Sequence, residues 1–345
     1  MKGVIVDKAG ALPRVVDNLP KPKPAADQIL VKSLWTAINP VDAFMANFGT
    51  LVVDWPLVLG VDASGVIVQV GETAQSKYNF KVGDYVCGCT RLGSPGHSTC
   101  QEYFLMDAAV TIPKPKNLDL VQAATLGVGA QAAALGLFDV LSLEFPTSAV
   151  SDKDEWVVIL GGGGSVGKAA VQLAQVAGYK VVASCSSRSA KTVEKLGAST
   201  FDYKKPVEEQ VEVVLEATSG KIAGIYDTAA SDDPVVARQL FKHPAYKGEK
   251  HFATLNEWSG ITDFEGGKTH LVQFGPIGRP DAAALNAALE KYTPIIVGAV
   301  EAGKLKASEC EPIGTGGFED AIQAYRYQSS GAGGPKKVVV KIQDE

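Results

Sequence analysis

Glycines between a run of strand formers and an amphipathic segment are the part of this sequence best suited to bind a charged ligand. Gly162, Gly164 and Gly167 have the spacing Gly-x-Gly-x-x-Gly, after the apolar run 156–160 and at the start of segment 166–177. This spacing allows a tight turn, close backbone approach to a pyrophosphate and close packing of helix on strand. The motif predicts a dinucleotide site, with phosphates at the helix start near the N–H groups of Ser165 and Val166. The alternative is a flexible turn that binds nothing.

Residues further along the chain indicate which dinucleotide is bound. An NAD-preferring site has an acidic residue about twenty positions after the glycines, against the ribose 2′-hydroxyl. This sequence instead has Ser184, Ser186, Ser187 and Arg188. Hydroxyls and a guanidinium can bind a 2′-phosphate through charge-assisted hydrogen bonds, so we expect NADPH as the cofactor. The alternative is that these are ordinary polar residues at the start of a helix, with Arg188 in solvent.

The elements that must position this site change in character near residue 118. Before it, short strands at 3–6, 28–32 and 63–70 are separated by proline and glycine, which is typical of a compact, mostly antiparallel barrel. After it, strands at 156–160, 180–184, 222–227 and 251–255 alternate with helices, which predicts an α/β fold with a doubly wound parallel sheet. Asp119 is expected to cap the helix that begins the apolar stretch 126–143.

The end of the chain is expected to return to the first lobe. A helical segment runs from 281 to about 300, and a strand at 336–341, after a loop at 331–335, needs a pairing partner. We therefore predict a first lobe at 1–121, a dinucleotide-binding domain at 122–279 and a return segment at 280–345.

Composition narrows the classes of function. The chain has 345 residues, is 46% hydrophobic and 21% charged, and carries a formal net charge of −5 without a long basic run. These values favour a folded protein with a small-molecule partner over one that binds nucleic acid or an anionic membrane. We predict no membrane span and, in the absence of an apolar secretory segment near the N-terminus, a cytoplasmic location.

Motifs along almost the whole chain resemble the medium-chain dehydrogenase/reductase superfamily. They are Asn-Pro-Val-Asp at 39–42, Gly-Val-Asp-Ala-Ser-Gly-Val at 60–66, Lys-Val-Gly-Asp-Tyr-Val at 81–86 and the glycine motif. Segments 123–129, 200–203 and 316–321 are similar to the quinone oxidoreductase and enoyl reductase branch, nearest to the fungal ToxD-like reductases. This resemblance implies a GroES-like catalytic domain and a Rossmann domain, as a monomer or a homodimer.

Zinc-dependent members of that superfamily have Cys where Asn39 stands and Gly-His-Glu at 60–62. Catalytic zinc needs about three protein ligands, which Asn39 and Val61 cannot supply, so no catalytic metal is expected. A structural zinc site is a competing hypothesis, because His97 and three thiols lie within a short span: Cys87, Cys89 and Cys100. Their spacing does not match the usual knuckle, and ordinary free thiols are the expectation.

The resemblance also implies roles for further residues. Asn39 and Thr125 are the expected catalytic positions, and Asn39 would donate to the substrate or the ribose. Alternatively, Asn39 and Asp42 merely cap the helix after Pro40. Expected cofactor-lining residues are Tyr203, Thr228 and Leu255, with Tyr203 as a simple surface aromatic as the alternative. Three aromatics would form an apolar substrate pocket, or belong to the core: Phe44, Phe48 and Trp55.

The leading functional hypothesis is zinc-independent hydride transfer from NADPH to an enone, enal or quinone. A second is a trans-acting enoyl reductase that acts on an acyl-carrier-bound chain of a polyketide synthase. Two departures weaken it, since ToxD-like proteins usually have Trp-Lys at 43–44 and Ser-Thr-Ala at 131–133, whereas this chain has Ala-Phe and Gln-Ala-Ala. A third hypothesis is an NADPH-binding protein without catalysis.

Overall fold

The computed structural model describes residues 1–145, 152–332 and 334–345. Its strands are, in chain order, β1 (Gly3–Val6), β2 (Arg14–Val16), β3 (Gln28–Ala37), β4 (Leu57–Val58), β5 (Asp62–Val70), β6 (Tyr85–Cys89), β7 (Tyr103–Asp107), β8 (Ile112–Pro113), β9 (Trp156–Leu160), β10 (Lys180–Cys185), β11 (Ser199–Asp202), β12 (Ile222–Asp227), β13 (His251–Thr254), β14 (Lys268–Leu271), β15 (Cys310–Pro312) and β16 (Lys337–Lys341).

Its α-helices are α1 (Pro40–Phe48), α2 (Glu72–Tyr78), α3 (Leu120–Ala123), α4 (Gly127–Ala134), α5 (Ser165–Val176), α6 (Ser187–Lys195), α7 (Val207–Thr218), α8 (Val235–Lys242), α9 (Ala283–Glu301) and α10 (Phe318–Ser329). A 3-10 turn spans Ala108–Val110, and α4 continues into a π-helical turn at Leu135–Val140. Among the described helices, none combines the length and the apolar character needed to cross a membrane.

The chain divides into two compact units. Unit 1 consists of Met1–Gln131, Gly275–Glu301 and Ala307–Glu345, and unit 2 of Ala132–Phe274 and Ala302–Lys306. The boundaries therefore differ from the expected ones after 121 and 279, because the first turns of α4 and the loop after residue 274 belong to unit 1. The short return of 302–306 to unit 2 was not expected.

The sheet of unit 2 is parallel throughout, in the order β11-β10-β9-β12-β13-β14. Counted from β9, this is the order 3-2-1-4-5-6 of a doubly wound dinucleotide-binding fold. Buried apolar side chains from this sheet and from α7 and α8 form its core, among them Val158, Ile225, Phe241 and Phe252. The expected α/β architecture is confirmed, and the sequence placed β9 and β12 at their observed limits.

Unit 1 contains a seven-stranded sheet with the path β15-β16-β3-β5-β6-β8, and β7 also pairs with β3. A small sheet, β2-β1-β4, completes the unit. The last strand pairs antiparallel with β3, with Val339 opposite Ala37, as the sequence predicted for a strand that needs a partner. The expected loop before that strand, 331–335, includes residue 333, which lies outside the described residues.

The region after Asp119 departs from the predicted continuous helix. Asp119 does cap a helix, since its carboxylate accepts a hydrogen bond from the backbone N–H of Gln122 at 2.8 Å. That helix, α3, is only four residues long, and the chain turns before α4 begins at Gly127. The apolar pattern alone did not reveal this break, which brings the start of α4 against Asp62.

Candidate functional site

The glycine loop of unit 2 follows β9 at the carboxyl edge of the parallel sheet. Gly161 has φ 90°, which glycine adopts without strain. A Cβ on Gly162 would lie 2.7 Å from the Cβ of Ala183, and one on Gly167 would lie 2.2 Å from the carbonyl oxygen of Gly161. Packing of the loop on β10 and of α5 on the loop therefore requires glycine at both positions.

The surroundings of Gly164 and Ser165 show whether the loop has room and free donors for a dinucleotide. A Cβ on Gly164 would meet only the carbonyl oxygen of Gly161, at 3.4 Å, so protein packing does not demand glycine there. The hydroxyl of Ser165 is buried and has no hydrogen-bond partner. The N–H groups of Ser165, Val166 and Gly167, in the first turn of α5, have no acceptor within the helix. A phosphate would use the open approach at Gly164 and supply the missing acceptors, so the residues fit the group.

Two predicted cofactor residues hold the glycine loop through hydrogen bonds. The Ser184 hydroxyl is buried and accepts a hydrogen bond from the backbone N–H of Gly161 at 2.8 Å. This bond fixes the entry of the glycine loop and uses the hydroxyl only as an acceptor, so the contact of Ser184 with a 2′-phosphate stays a prediction. Thr228 donates to the carbonyl oxygens of Leu160 and Gly161, at 2.7 and 3.2 Å. Both residues shape the loop on which a cofactor would lie.

Other predicted cofactor residues lie around the same edge of the sheet. Ser186 is the residue before α6, with its hydroxyl 3.3 Å from that of Ser189, and Ser187 and Arg188 are exposed in the first turn. Tyr203, just after β11, is 53% exposed, and Leu255 directly follows β13. Exposure of Ser187 and Arg188 beside the glycine loop is compatible both with a 2′-phosphate contact and with a solvated helix start.

Asp227, at the end of β12, organises this edge of the sheet. The sequence predicted only the strand that it ends, 222–227. Its carboxylate accepts from the backbone N–H groups of Ala229 and Ser231, at 3.1 and 2.8 Å, and from the hydroxyl of Thr254 at 3.0 Å. Burial raises the pKa of Asp227, and these hydrogen bonds oppose that rise. The carboxylate thus ties the loops after β12 and β13 together.

A second polar cluster is enclosed within unit 1 around Asn39, which is 2% exposed. Its Nδ2 donates to a carboxylate oxygen of Asp62 at 2.9 Å and to the carbonyl oxygen of Ala37 at 3.2 Å. Its Oδ1 accepts from the ammonium of Lys337. Because the protein uses both amide hydrogens, the expectation that Asn39 donates to a substrate or ribose is corrected; only acceptor capacity on Oδ1 remains.

Lys337 and Asp62 form the charged part of this cluster. Lys337 is 6% exposed, and its Nζ lies 3.4 Å from a carboxylate oxygen of Asp62, which is fully buried. The other Asp62 oxygen accepts from the backbone N–H of Val128 at 2.9 Å, at the start of α4. The sequence analysis missed Lys337. Its one sequence signal is a basic residue at the start of a strand that is otherwise apolar.

Asp42 is the third ionisable member and closes the helix end. Its carboxylate accepts from the backbone N–H of Asn39 at 2.7 Å and from that of Gly60 at 3.1 Å. Burial raises the pKa of Asp42 to about 7; the two N–H donors and Lys337 oppose that rise, and Asp62 adds to it. Burial likewise raises the pKa of Asp62, against the opposing effect of Lys337. The capping interpretation thus holds for Asp42, which caps α1.

The remaining predicted residues of unit 1 do not gather into one site. Thr125 is buried, and its hydroxyl donates to the carbonyl oxygen of Gln122 at 2.8 Å. Phe44 and Phe48 lie on α1, 51% and 72% exposed, with ring centroids 6.0 Å apart. Trp55 lines a cavity of about 340 Å³ that neither Phe44 nor Phe48 lines. The grouping of all three in one pocket is therefore not observed within this unit.

The residues considered for zinc have other partners. His97 contacts Gln28 Nε2 and the carbonyl oxygen of Pro95, at 3.2 and 3.0 Å. Burial raises the pKa values of the Cys87, Cys89 and Cys100 thiols, which disfavours the thiolate that zinc binds. Beside Val61, the Asn39 amide and the Asp62 carboxylate both contact the ammonium group of Lys337. Within the described part of the chain, no cluster of three or more His, Cys, Asp or Glu is arranged to hold a metal.

Comparison with known sequences places these features in context. The alcohol dehydrogenase GroES-like domain family matches residues 25–116. A zinc-type alcohol dehydrogenase-like protein of Schizosaccharomyces pombe is 30% identical over 99% of this chain and 100% of its own. The trans-enoyl reductase TOXD of Cochliobolus carbonum is 31% identical over 73% of this chain and 83% of its own. The match to dehydrogenase pigH of Monascus ruber, 36% identical, spans about half of each chain, 55% and 54%.

Solved structures share the fold. An alcohol dehydrogenase superfamily protein from Novosphingobium aromaticivorans has a TM-score of 0.77 at 24% identity, covering 99% of this chain and 100% of its own. A mycobacterial protein complexed with NADPH has a TM-score of 0.73 at 19% identity, covering 99% of both chains. At these identities the likeness establishes the architecture alone.

Proposed function

From the premise that this chain belongs to the medium-chain dehydrogenase/reductase superfamily, we propose that it is an oxidoreductase of the enoyl and quinone reductase type. It uses NADPH to reduce the activated C=C bond of a small enone or enal, or a quinone, without a catalytic metal. The observation that carries the proposal is the loop with open space at Gly164 and an unpartnered hydroxyl on Ser165, at the point where the sheet order reverses.

Preference for NADPH rests on the residues after β10. Arg188 is exposed in the first turn of α6, and an acidic residue is absent from segment 184–188. A guanidinium with neighbouring hydroxyls from Ser186 and Ser187 suits a 2′-phosphate, which carries more negative charge than a hydroxyl. Ser184, which accepts a hydrogen bond from Gly161, also holds the glycine loop in place.

In this mechanism the residues of the chain bind the cofactor and hold the glycine loop in shape. When bound, the nicotinamide supplies a hydride for the β-carbon of the acceptor. The first turn of α5 would hold the pyrophosphate, while Thr228 and Ser184 keep the loop in shape. Because Asn39 has no free N–H, donors to the developing enolate oxygen must be other groups, and the proton would return from solvent or a hydroxyl.

Titration calorimetry and an absorbance assay on the purified chain test this proposal. We expect NADPH to bind at least about tenfold more tightly than NADH, a difference of about 1.4 kcal/mol. We also expect loss of NADPH absorbance with some members of a panel of 2-enals, enones and quinones. Absence of NADPH binding would refute the proposal.

A second candidate is an enoyl reductase that acts on carrier-bound chains, which the printed name of the TOXD relative favours. Against it, Phe44 occupies the position where ToxD-like proteins usually have lysine, so a cation that would contact a phosphopantetheine arm is missing. Turnover of carrier-bound enoyl chains, but of no free acceptor, would favour this candidate. Tight NADPH binding with no turnover of either class would instead indicate a non-catalytic role.

A further inference from the structure

The Lys337 ammonium is buried against the side-chain oxygen of Asn39. Both hydrogens of that Asn39 amide donate to other protein groups. Lys337 comes from β16, Asn39 lies between β3 and α1, and Asp62 begins β5. In the observed orientation Oδ1 of Asn39 faces the ammonium and Nδ2 faces the Asp62 carboxylate. A flip of the amide would set NH₂ against the ammonium and oxygen against the carboxylate, and both contacts would become repulsive. The charges of Lys337 and Asp62 therefore fix which way Asn39 points.

Asn39 in turn fixes the start of α1. Its backbone N–H donates to Asp42, whose other carboxylate oxygen accepts from Gly60. The exposed side of this helix carries Phe44 and Phe48, two of the residues predicted to contact the acceptor. Loss of the contact at Lys337 would thus be transmitted through Asn39 to the orientation of α1.

We propose that Lys337 is a positioning residue for the reduction: its ammonium, opposed to Asp62, locks the Asn39 amide and holds α1 in the orientation that the acceptor requires. This inference rests on the proposed function. It requires no metal ion in the cluster, since the side chain of the protein itself supplies the cation that neutralises Asp62. Acceptor turnover should depend on this lysine, whereas NADPH binding, which we assign to the glycine loop of unit 2, should not.

The competing explanation is that Lys337 only neutralises a buried carboxylate. A charge-paired set of variants separates the two: Lys337→Met, Asp62→Asn, the double variant, Lys337→Arg, and Lys336→Met as a control. Lys336 is the preceding residue and pairs at 3.5 Å with Glu311 on the surface. In the double variant the charges of Lys337 and Asp62 are both removed, and Asp42 keeps its two backbone N–H donors. An asparagine at 62 can both donate and accept, so the Asn39 amide loses its fixed orientation.

We expect Lys337→Met to lower both Tm and the acceptor kcat/KM, the latter at least tenfold, while the Kd for NADPH stays within twofold. The double variant should recover most of the Tm but not the kcat/KM, and Lys337→Arg should recover part of the kcat/KM. Lys336→Met should match the parent. Recovery of kcat/KM in step with Tm in the double variant, or full turnover by Lys337→Met, would overturn the proposal.

Hydrogen exchange of the Asn39 side-chain amide, followed by ¹⁵N-edited NMR, provides a measurement that does not need turnover. Both Nδ2 protons should exchange slowly in the parent and at least tenfold faster in Lys337→Met and in the double variant. Unchanged exchange in both variants would overturn the proposal even if the parent reduces none of the acceptors tested. If the parent is inactive but exchange responds as expected, the proposed reaction fails while the locking of Asn39 by Lys337 stands.

Discussion

Glycine is required at different positions of the loop after β9 for different physical reasons. Gly162 and Gly167 leave room for neighbouring protein atoms, whereas the space beside Gly164 is open. The sequence motif treats all three alike. The contacts assign two to packing and leave one for the approach of a ligand.

Gly164→Ala tests this assignment. We expect NADPH affinity to fall by about tenfold, or about 1.4 kcal/mol, because the added methyl lies where the pyrophosphate must approach. The Tm should change little, since a Cβ at this position meets no protein atom closer than 3.4 Å. The matched variant Gly167→Ala should lower the Tm by several degrees, because its Cβ would lie 2.2 Å from a carbonyl oxygen. Equal loss of Tm in both variants would contradict the assignment.

A substitution at Arg188, in the first turn of the helix after β10, tests the preference for NADPH over NADH. Arg188→Gln should weaken NADPH binding by about ten- to a hundredfold, through loss of charge-assisted hydrogen bonds of about 1.5–3 kcal/mol. NADH binding should stay unchanged because it lacks the 2′-phosphate. Lys191→Gln, on the same helix, is the control, and calorimetry with both nucleotides is the measurement. If Arg188→Gln leaves NADPH binding intact, Arg188 is only a solvent-exposed residue in the first turn of α6, and the 2′-phosphate has other partners.

At the scale of elements, the short α3 and the separate start of α4 determine how Asp62 is used. The backbone N–H of Val128 donates to Asp62, so the buried carboxylate caps α4 as well as pairing with Lys337. Gly127 permits this approach, because a Cβ there would lie 2.0 Å from an Asp62 oxygen. Interruption of the predicted long helix therefore serves the buried cluster.

Gly127→Ala should consequently destabilise unit 1. Overpacking against Asp62 and the β6 backbone is expected to cost about 1–3 kcal/mol. Gly298→Ala in α9 is the matched control: a Cβ there meets no atom within 4 Å, so the better helix propensity of alanine should stabilise by about 0.5–1 kcal/mol. Scanning calorimetry should show Tm shifts of opposite sign. A neutral Gly127→Ala would show that α4 can move away from Asp62 at little cost.

At the scale of the whole molecule, the two units carry different kinds of polar chemistry. Unit 2 presents exposed hydroxyls, a guanidinium and helix N–H groups, whereas the cluster around Asn39 in unit 1 encloses the carboxylates of Asp42 and Asp62 with the ammonium of Lys337. The raised pKa values of Asp42 and Asp62 mean that the folded chain binds protons which the unfolded chain has released. Stability should therefore depend on pH well above the usual range of carboxylates.

For Asp42, with a folded pKa of about 7 against 3.8 unfolded, the stabilisation is complete below about pH 4 and declines as the pH rises to about 7. The decline is expected to be on the order of 2–4 kcal/mol. Asp42→Asn should flatten the fall in Tm between pH 4 and 7. Asp154→Asn is the control, since ion pairs with Lys180 and Lys221 lower the pKa of Asp154 to about 2, outside this window. An equal change in Tm between pH 4 and 7 in the parent and in Asp42→Asn would contradict the raised pKa.

Local patterns in the sequence determined the strands β9 and β12, the α/β architecture, the glycine motif and the hydroxyl-rich segment with Arg188. These depend on residues adjacent in the chain, whose periodicity and backbone freedom act within one turn or strand. Only the tertiary structure decided the hydrogen-bond partners: Ser184 turns to Gly161, and Asn39 meets Lys337 from 298 positions away. Such partners depend on strand pairing between distant segments, and a residue's type does not specify which buried group will use its hydrogen bonds.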